Sequence, residues 1–138
     1  MKRIVMMIAV TLVLGIALRM VTSQVLPAQQ APIKRTTLQQ KDLEGVPGRE
    51  VVMFVAEIMP GGVAGRHFHP GPEFFYVLEG SLTLEPDGQA PMTLRKGDSG
   101  HNLAKAVHNA KNASTTETAK VLGVLIGEKG APLSTPVQ

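Results

Sequence analysis

The segment at residues 61–80, GGVAGRHFHPGPEFFYVLEG, gathers His67, His69 and Glu73 into a stretch of seven residues. A β-strand repeats every two residues, so the imidazoles of His67 and His69 project from one face, and Glu73 follows across a Pro-Gly-Pro turn. Neutral imidazoles together with a carboxylate suit a borderline divalent ion such as Fe, Mn, Ni, Cu or Zn. Gly61 and Gly80 bracket the segment and supply the tight turns that let two short strands converge on one point. The chemistry to expect is metal binding, with a carboxylate able to act as a ligand or as a proton acceptor beside a bound molecule.

Written as a spacing, the segment runs Gly61, five residues, His67, one, His69, three, Glu73, six, Gly80. At every fixed position it resembles the first motif of the cupin superfamily. After a spacer of sixteen residues, Gly97 opens a second stretch, GDSGHNLAKAVHNAKN, in which His108 and Asn112 stand where the second cupin motif has its histidine and asparagine. The family usually carries proline and glycine five and three residues before that histidine, and this chain has Leu103 and Lys105 there. The turn that delivers His108 is therefore not defined by the motif. The resemblance covers residues 50–127.

That resemblance implies an all-β double-stranded β-helix, a small jelly roll or barrel of six to eight strands whose open mouth holds the metal. It implies one divalent transition metal on His67, His69, Glu73 and His108. Similar cupins include dioxygenases that cleave flavonols and other enolic or phenolic compounds, with the glutamate accepting the hydroxyl proton, a role that falls here to Glu73. Isomerases and lyases use the same cage as a Lewis acid. Other members of the fold bind without catalysis, so a periplasmic small-molecule or metal-binding module is the alternative to an enzyme. Phe75 and Val77 share the face of Glu73 and imply an apolar wall. With no cluster of Arg and Lys around the motif, a flat organic ligand fits better than a phosphosugar.

At 138 residues the chain is long enough for one domain with one core. Residues 4–18 form an uncharged apolar run of fifteen preceded by Lys2 and Arg3, which predicts a secretory signal peptide and a periplasmic or secreted product. An uncleaved N-terminal anchor is the rival, and it would be the chain's one contact with a membrane. Lys2, Arg3 and Arg19 are the basic residues of this leader, and without them eleven basic residues face eleven acidic ones. Nucleic acid is not the expected partner of so balanced a domain. The absence of cysteine removes disulfides, thiolate metal sites and lipoprotein attachment from consideration.

The remaining segments must position the ligands. Residues 25–33, rich in Pro, Gln and Ala, read as a linker, and residues 34–40 as an edge strand. The run EVVMFVAEIM at 50–59 predicts a buried strand, and 73–79 another, apolar on both faces, so that one face lines the cavity and the other is covered by a second sheet or a second subunit. Residues 82–84 and 92–94 predict a hairpin around Pro86, Asp87 and Gly88, and 119–126 a closing strand. The organisation is thus a leader or anchor at 1–28, a linker and arm at 29–49, the cupin domain at 50–127 and a loosely held tail at 128–138. Tyr76 is expected to pack in the core, as are Met53, Met59 and Met92, whereas His101 belongs at the surface and Lys105 in a solvated turn. So small a barrel with a two-sided apolar strand is expected to form a homodimer around a small-molecule site.

Overall fold

A computed structural model describes residues 33–138, and every regular element among them is a β-strand. The expected leader and most of the linker lie outside the described residues. The strands are β1 Ile33–Asp42, β2 Arg49–Ile58, β3 His67–Phe68, β4 Glu73–Glu79 and β5 Ser81–Pro86, then β6 Met92–Arg95, β7 Ser99–Asn102, β8 His108–Asn112, β9 Ala119–Glu128 and β10 Thr135–Pro136. They form two five-stranded antiparallel sheets, β1-β2-β9-β4-β7 and β10-β3-β8-β5-β6. The architecture is a double-stranded β-helix. It has ten strands rather than six to eight, because the arm adds β1 to one sheet edge and the tail adds β10 to the other.

Alternation along β2 and β9 makes the core. Val52, Phe54 and Ile58 are buried at every second or fourth position of β2, while β9 buries Ala119, Val121 and Leu125 in the same rhythm. Phe54 lies opposite Gly123, whose missing side chain gives the ring its space, since a Cβ there would sit 2.4 Å from the Phe54 Cζ. Ile58, Phe75, Leu82, Leu84, Ala119 and Val121 form one cluster, to which both sheets contribute; Val52, Phe54 and Leu125 form a second. These clusters are the floor of the barrel, and the polar residues cluster above them.

Three expectations are corrected here. No second sheet covers the outer face of β4 among the described residues, since Glu73, Phe75 and Val77 are buried but Phe74 is 53% and Tyr76 44% exposed. The outward face of the sheet has no layer stacked on it among the described residues, so Tyr76 does not pack in the core. Met59 and Met92 are likewise exposed and Met53 only half-buried, because each falls at a strand end or on an outward position. The tail is not loose: β10 pairs with β3, the Val137 amide donates to the Arg66 carbonyl at 2.9 Å, and the Arg66 guanidinium holds both Asp87 and the Gln138 carbonyl.

Candidate metal centre

Each sheet brings two polar residues to the mouth of the barrel. On one sheet His67 of β3 lies directly opposite His108 of β8. On the other, Glu73 of β4 lies opposite Asn102 of β7. His69 sits in the short connection between β3 and β4, where Pro70, Gly71 and Pro72 turn the chain from the first sheet to the second. Gly61 and Gly80, which bracket the first motif, have φ of 67° and 69°, a left-handed backbone that a side chain disfavours.

The three imidazoles form a compact triangle with ring centroids 4.5 to 5.1 Å apart. One ring nitrogen from each falls within 4.8 Å of the others. Each Nδ1 is committed to a backbone carbonyl: His67 to Gly65 at 2.8 Å, His69 to Leu133 at 2.6 Å and His108 to Ala106 at 3.1 Å. A carbonyl can only accept, so each Nδ1 carries a proton and donates it. The Nε2 atoms are thereby left to face the cavity. A carbonyl behind each imidazole is how proteins orient histidine toward a metal and fix its tautomer.

Glu73 completes the group. Its Oε2 lies 3.1 Å from His69 Nε2 and accepts a hydrogen bond from Asn102 Nδ2 at 2.7 Å. The same Asn102 nitrogen is 3.3 Å from His108 Nε2. The three histidines are the group whose ligand atoms lie within 4.8 Å of one another, Glu73 joins them through His69, and all four are buried, from 2% exposed at His108 to 7% at Glu73. His101 stays outside, exposed at the surface beside Phe74.

Burial and mutual charge set the protonation states. Burial above all, then the neighbouring charges of His108, His69 and Arg35, push His67 down to about 4 against the bond from Gly65. His108 is lowered for the same leading reason, with the backbone bond to Ala106 opposing. At His69 burial is again the largest single effect and disfavours the proton, but the hydrogen bond and charge of Glu73 together outweigh it, so its pKa is raised. Glu73 mirrors this: burial raises its pKa, yet His69 and then Asn102 more than offset that and hold the carboxyl below its usual range. Three imidazoles whose Nδ1 atoms are held by carbonyls, with a carboxylate hydrogen-bonded to one of them, would offer three nitrogens and one oxygen once the proton between His69 and Glu73 is displaced. Those residues fit a divalent transition ion.

The turn that the motif left undefined is built without glycine. Lys105 stands at the usual glycine position and takes a φ of 61° itself, while its amide donates to the His69 carbonyl at 2.9 Å. Its side chain is solvated, as expected. The motif's Asn112 is a structural clamp. Its Nδ2 donates to the carbonyls of Ile58, Met59 and Glu117, while its Oδ1 accepts from the Ser114 amide.

Beneath and beside the ligands is a cavity of about 60 Å³, measured as space for the centres of water-sized molecules. Its wall is mostly apolar, with Phe54, Phe75, Leu82, Leu84 and Val121 among the lining residues. Phe75 therefore contributes to the wall as expected. Val77 is fully buried in the core and does not. Two polar residues that line the cavity were not singled out in the sequence, Asn102 and Arg35.

A jelly-roll barrel with a histidine and carboxylate cluster in its mouth defines a class of proteins with an internal ligand site. The chain belongs to the cupin family, whose domain pattern, described as "Cupin domain", matches residues 54–125, just over half of its length. No curated protein sequence matches it. Among solved structures, a double-stranded β-helix protein from Klebsiella pneumoniae is 18% identical with a TM-score of 0.62, covering 82% of this chain and 90% of that one. The DMSP lyase DddQ from Ruegeria pomeroyi is 18% identical with a TM-score of 0.62, covering 76% and 51%. An oxalate oxidase in complex with the substrate analogue glycolate is 21% identical with a TM-score of 0.60, covering 80% and 57%. At these identities the shared property is the fold, and this chain spans only about half of the latter two proteins.

Proposed function

We propose that this protein is a small metalloenzyme that holds one divalent transition metal on His67, His69, Glu73 and His108 and acts on a small enolic or phenolic molecule, with dioxygenase chemistry as the leading type. The observation that carries the proposal is the triangle of imidazoles whose Nδ1 atoms are all held by carbonyls, leaving Nε2 of each directed inward. A bound ion of this kind supplies Lewis acidity that lowers the pKa of a ligand hydroxyl and, if it is Fe, Mn or Cu, a redox centre.

The chain's own residues supply the rest. The apolar wall excludes water and orients the carbon skeleton, and its volume admits only a few heavy atoms. That size favours a one-ring or smaller molecule over a three-ring flavonol. Glu73 accepts a proton from the ligand. Its depressed pKa depends on His69, so with His69 deprotonated the effect of burial remains and the carboxylate becomes a stronger base. Asn102 holds that carboxylate in place.

The second reading is a capture module. It is supported by the titratable residues of the wall, which among the described residues are the three histidines, Glu73 and Arg35. Lewis-acid isomerase or lyase chemistry is the third, supported in kind by the lyase among the fold's neighbours. Metal analysis of the natively purified protein, followed by turnover of a panel of small phenolic, enolic and hydroxy acids under oxygen and under nitrogen, separates them. Oxygen-dependent turnover is the dioxygenase result, oxygen-independent turnover the isomerase or lyase result, and stoichiometric binding alone the capture result. Failure to bind any metal, with His67→Ala behaving as wild type, overturns the proposal. The apolar run at 4–18 supports export to the periplasm or beyond, and N-terminal sequencing of the exported protein tests it.

A further inference from the structure

The strand β1 carries an anomaly. Its register against β2 places Ile33 opposite Ile58, Arg35 opposite Ala56 and Thr37 opposite Phe54. Residues directly opposite one another in an antiparallel pair share a face, and Ala56, Ile58 and Phe54 all line the cavity. Arg35 therefore lies on the cavity side of β1 between apolar neighbours and lines the cavity at its rim, where it remains exposed. Lys34, one residue earlier, points the other way and reaches Glu57 across the outer face at 3.7 Å. Arg35 has no carboxylate within ion-pair distance among the described residues. The small side chain of Ala56 leaves its stem room to pass over the sheet.

We propose that Arg35 is the specificity residue of the site and that the ligand is a small organic carboxylate, its carboxyl group held by the Arg35 guanidinium at the mouth while its other oxygen function faces the histidine cluster. The inference rests on the metal-site reading above and narrows its substrate class. A planar guanidinium presents paired N–H donors that match a carboxylate. Glu73, which lines the same cavity, is engaged by His69 and Asn102, so the Arg35 charge is left to be neutralised by a bound monoanion. A phosphate group carries about two charges and needs more donors, whereas the other side chains lining this wall besides the ligand cluster are Asn102 and apolar residues. The cavity volume of about 60 Å³ also suits an acid of a few heavy atoms.

The test compares two probes of nearly equal shape, glycolate and its uncharged amide, glycolamide, titrated calorimetrically into the zinc-loaded protein. Wild type is expected to prefer glycolate. Arg35→Gln should weaken glycolate about tenfold, the lower end for a hydrogen bond to a charged group because Arg35 is exposed, and leave glycolamide unchanged with zinc still bound. Arg35→Lys should recover part of the loss. Equal glycolate affinity in wild type and Arg35→Gln overturns the inference, and so does inorganic phosphate binding more tightly than glycolate. Zinc binding is read in the same titrations, so loss of the metal-site reading is seen separately. In that event the Arg35 Nε–H resonance of the metal-free protein decides: a saturable shift with glycolate but not glycolamide supports carboxylate recognition, and no shift overturns it. Circular dichroism melting of both variants checks that the exposed β1 strand is still in place.

Discussion

Asn102 donates to Glu73 Oε2 at 2.7 Å from the neighbouring strand, and the two residues are register partners in β4 and β7. The sheet itself, rather than a loop, thus holds the one carboxylate that lines the cavity among the described residues. Asn102→Ala removes a donor to a buried charged group, and such bonds are worth about 1.5–3 kcal/mol. The metal-free variant is expected to unfold at lower urea with a loss near that range, and the Glu73 carboxyl should titrate at higher pH by NMR. An unchanged Glu73 titration would show that Asn102 does not set its charge state.

Lys105 takes a left-handed backbone that costs a non-glycine residue about 1–2 kcal/mol. Glycine relieves that cost but frees the unfolded chain by about 0.4–1 kcal/mol. Lys105→Gly is therefore expected to be neutral or stabilising by up to about 1 kcal/mol, with metal affinity unchanged. Lys105→Val, whose β-branched side chain is least tolerant of this conformation, should destabilise. Thermal melts of the two variants side by side check the ordering.

Glu50 ties three parts of the chain together, accepting from Gln40 Nε2 of β1 at 2.8 Å and from the Gly130 amide of the tail at 2.9 Å. The Gln40 bond first, then the Gly130 bond, hold its carboxyl below the ordinary 4.5. A carboxylate whose folded pKa is depressed adds stability that is present above its unfolded pKa and disappears as pH falls through the folded value. Melting temperature should therefore fall on acidification below about pH 4.5, and less steeply in Gln40→Ala, where the folded and unfolded values lie closer. Parallel slopes in the two proteins would remove Glu50 from the acid response.

The outward side chains of β4 offer a surface for a second copy. Phe74 and Tyr76 are exposed beside His101, and Leu103 at the end of β7 is 65% exposed. Contiguous apolar surface of this kind marks an interface, so a homodimer is expected in sedimentation velocity at micromolar concentration. Phe74→Ser with Tyr76→Ser should shift it to monomer. A wild-type monomer under those conditions contradicts the expectation.

What could be read from the sequence divides by how local the information is. His67 and His69 stand two residues apart and Glu73 four further on, and this spacing carried their convergence although His69 lies just past the end of β3; the second motif added His108. Arg35 and Asn102 depend on register: they reach the cavity because β1 lies along β2 and β7 along β4, and no local pattern specifies which distant strand is the partner. Tyr76 shows the complementary gap. Strand parity put it opposite Glu73 correctly, but parity does not say whether that opposite face is covered. Lys105 shows that a motif's glycine marks a backbone conformation, which another residue can adopt at a cost.

Glu73→Gln separates base from ligand and enzyme from binder. His67→Ala and His69→Ala each remove a nitrogen donor and should sharply weaken metal binding under any function. Glu73→Gln keeps the size and an oxygen donor, removes the charge and abolishes proton acceptance. It also removes the partner that raises the His69 pKa, so the three imidazoles all become neutral ligands and much of the metal affinity should persist by elemental analysis. If Glu73 is the base, turnover of the substrate identified from the panel falls roughly 100-fold or more, the usual worth of a positioned acid or base. A capture module keeps its ligand affinity within a small factor in the same variant. Full turnover in metal-replete Glu73→Gln rules out the base role and leaves His108 or a water on the ion to carry any proton transfer.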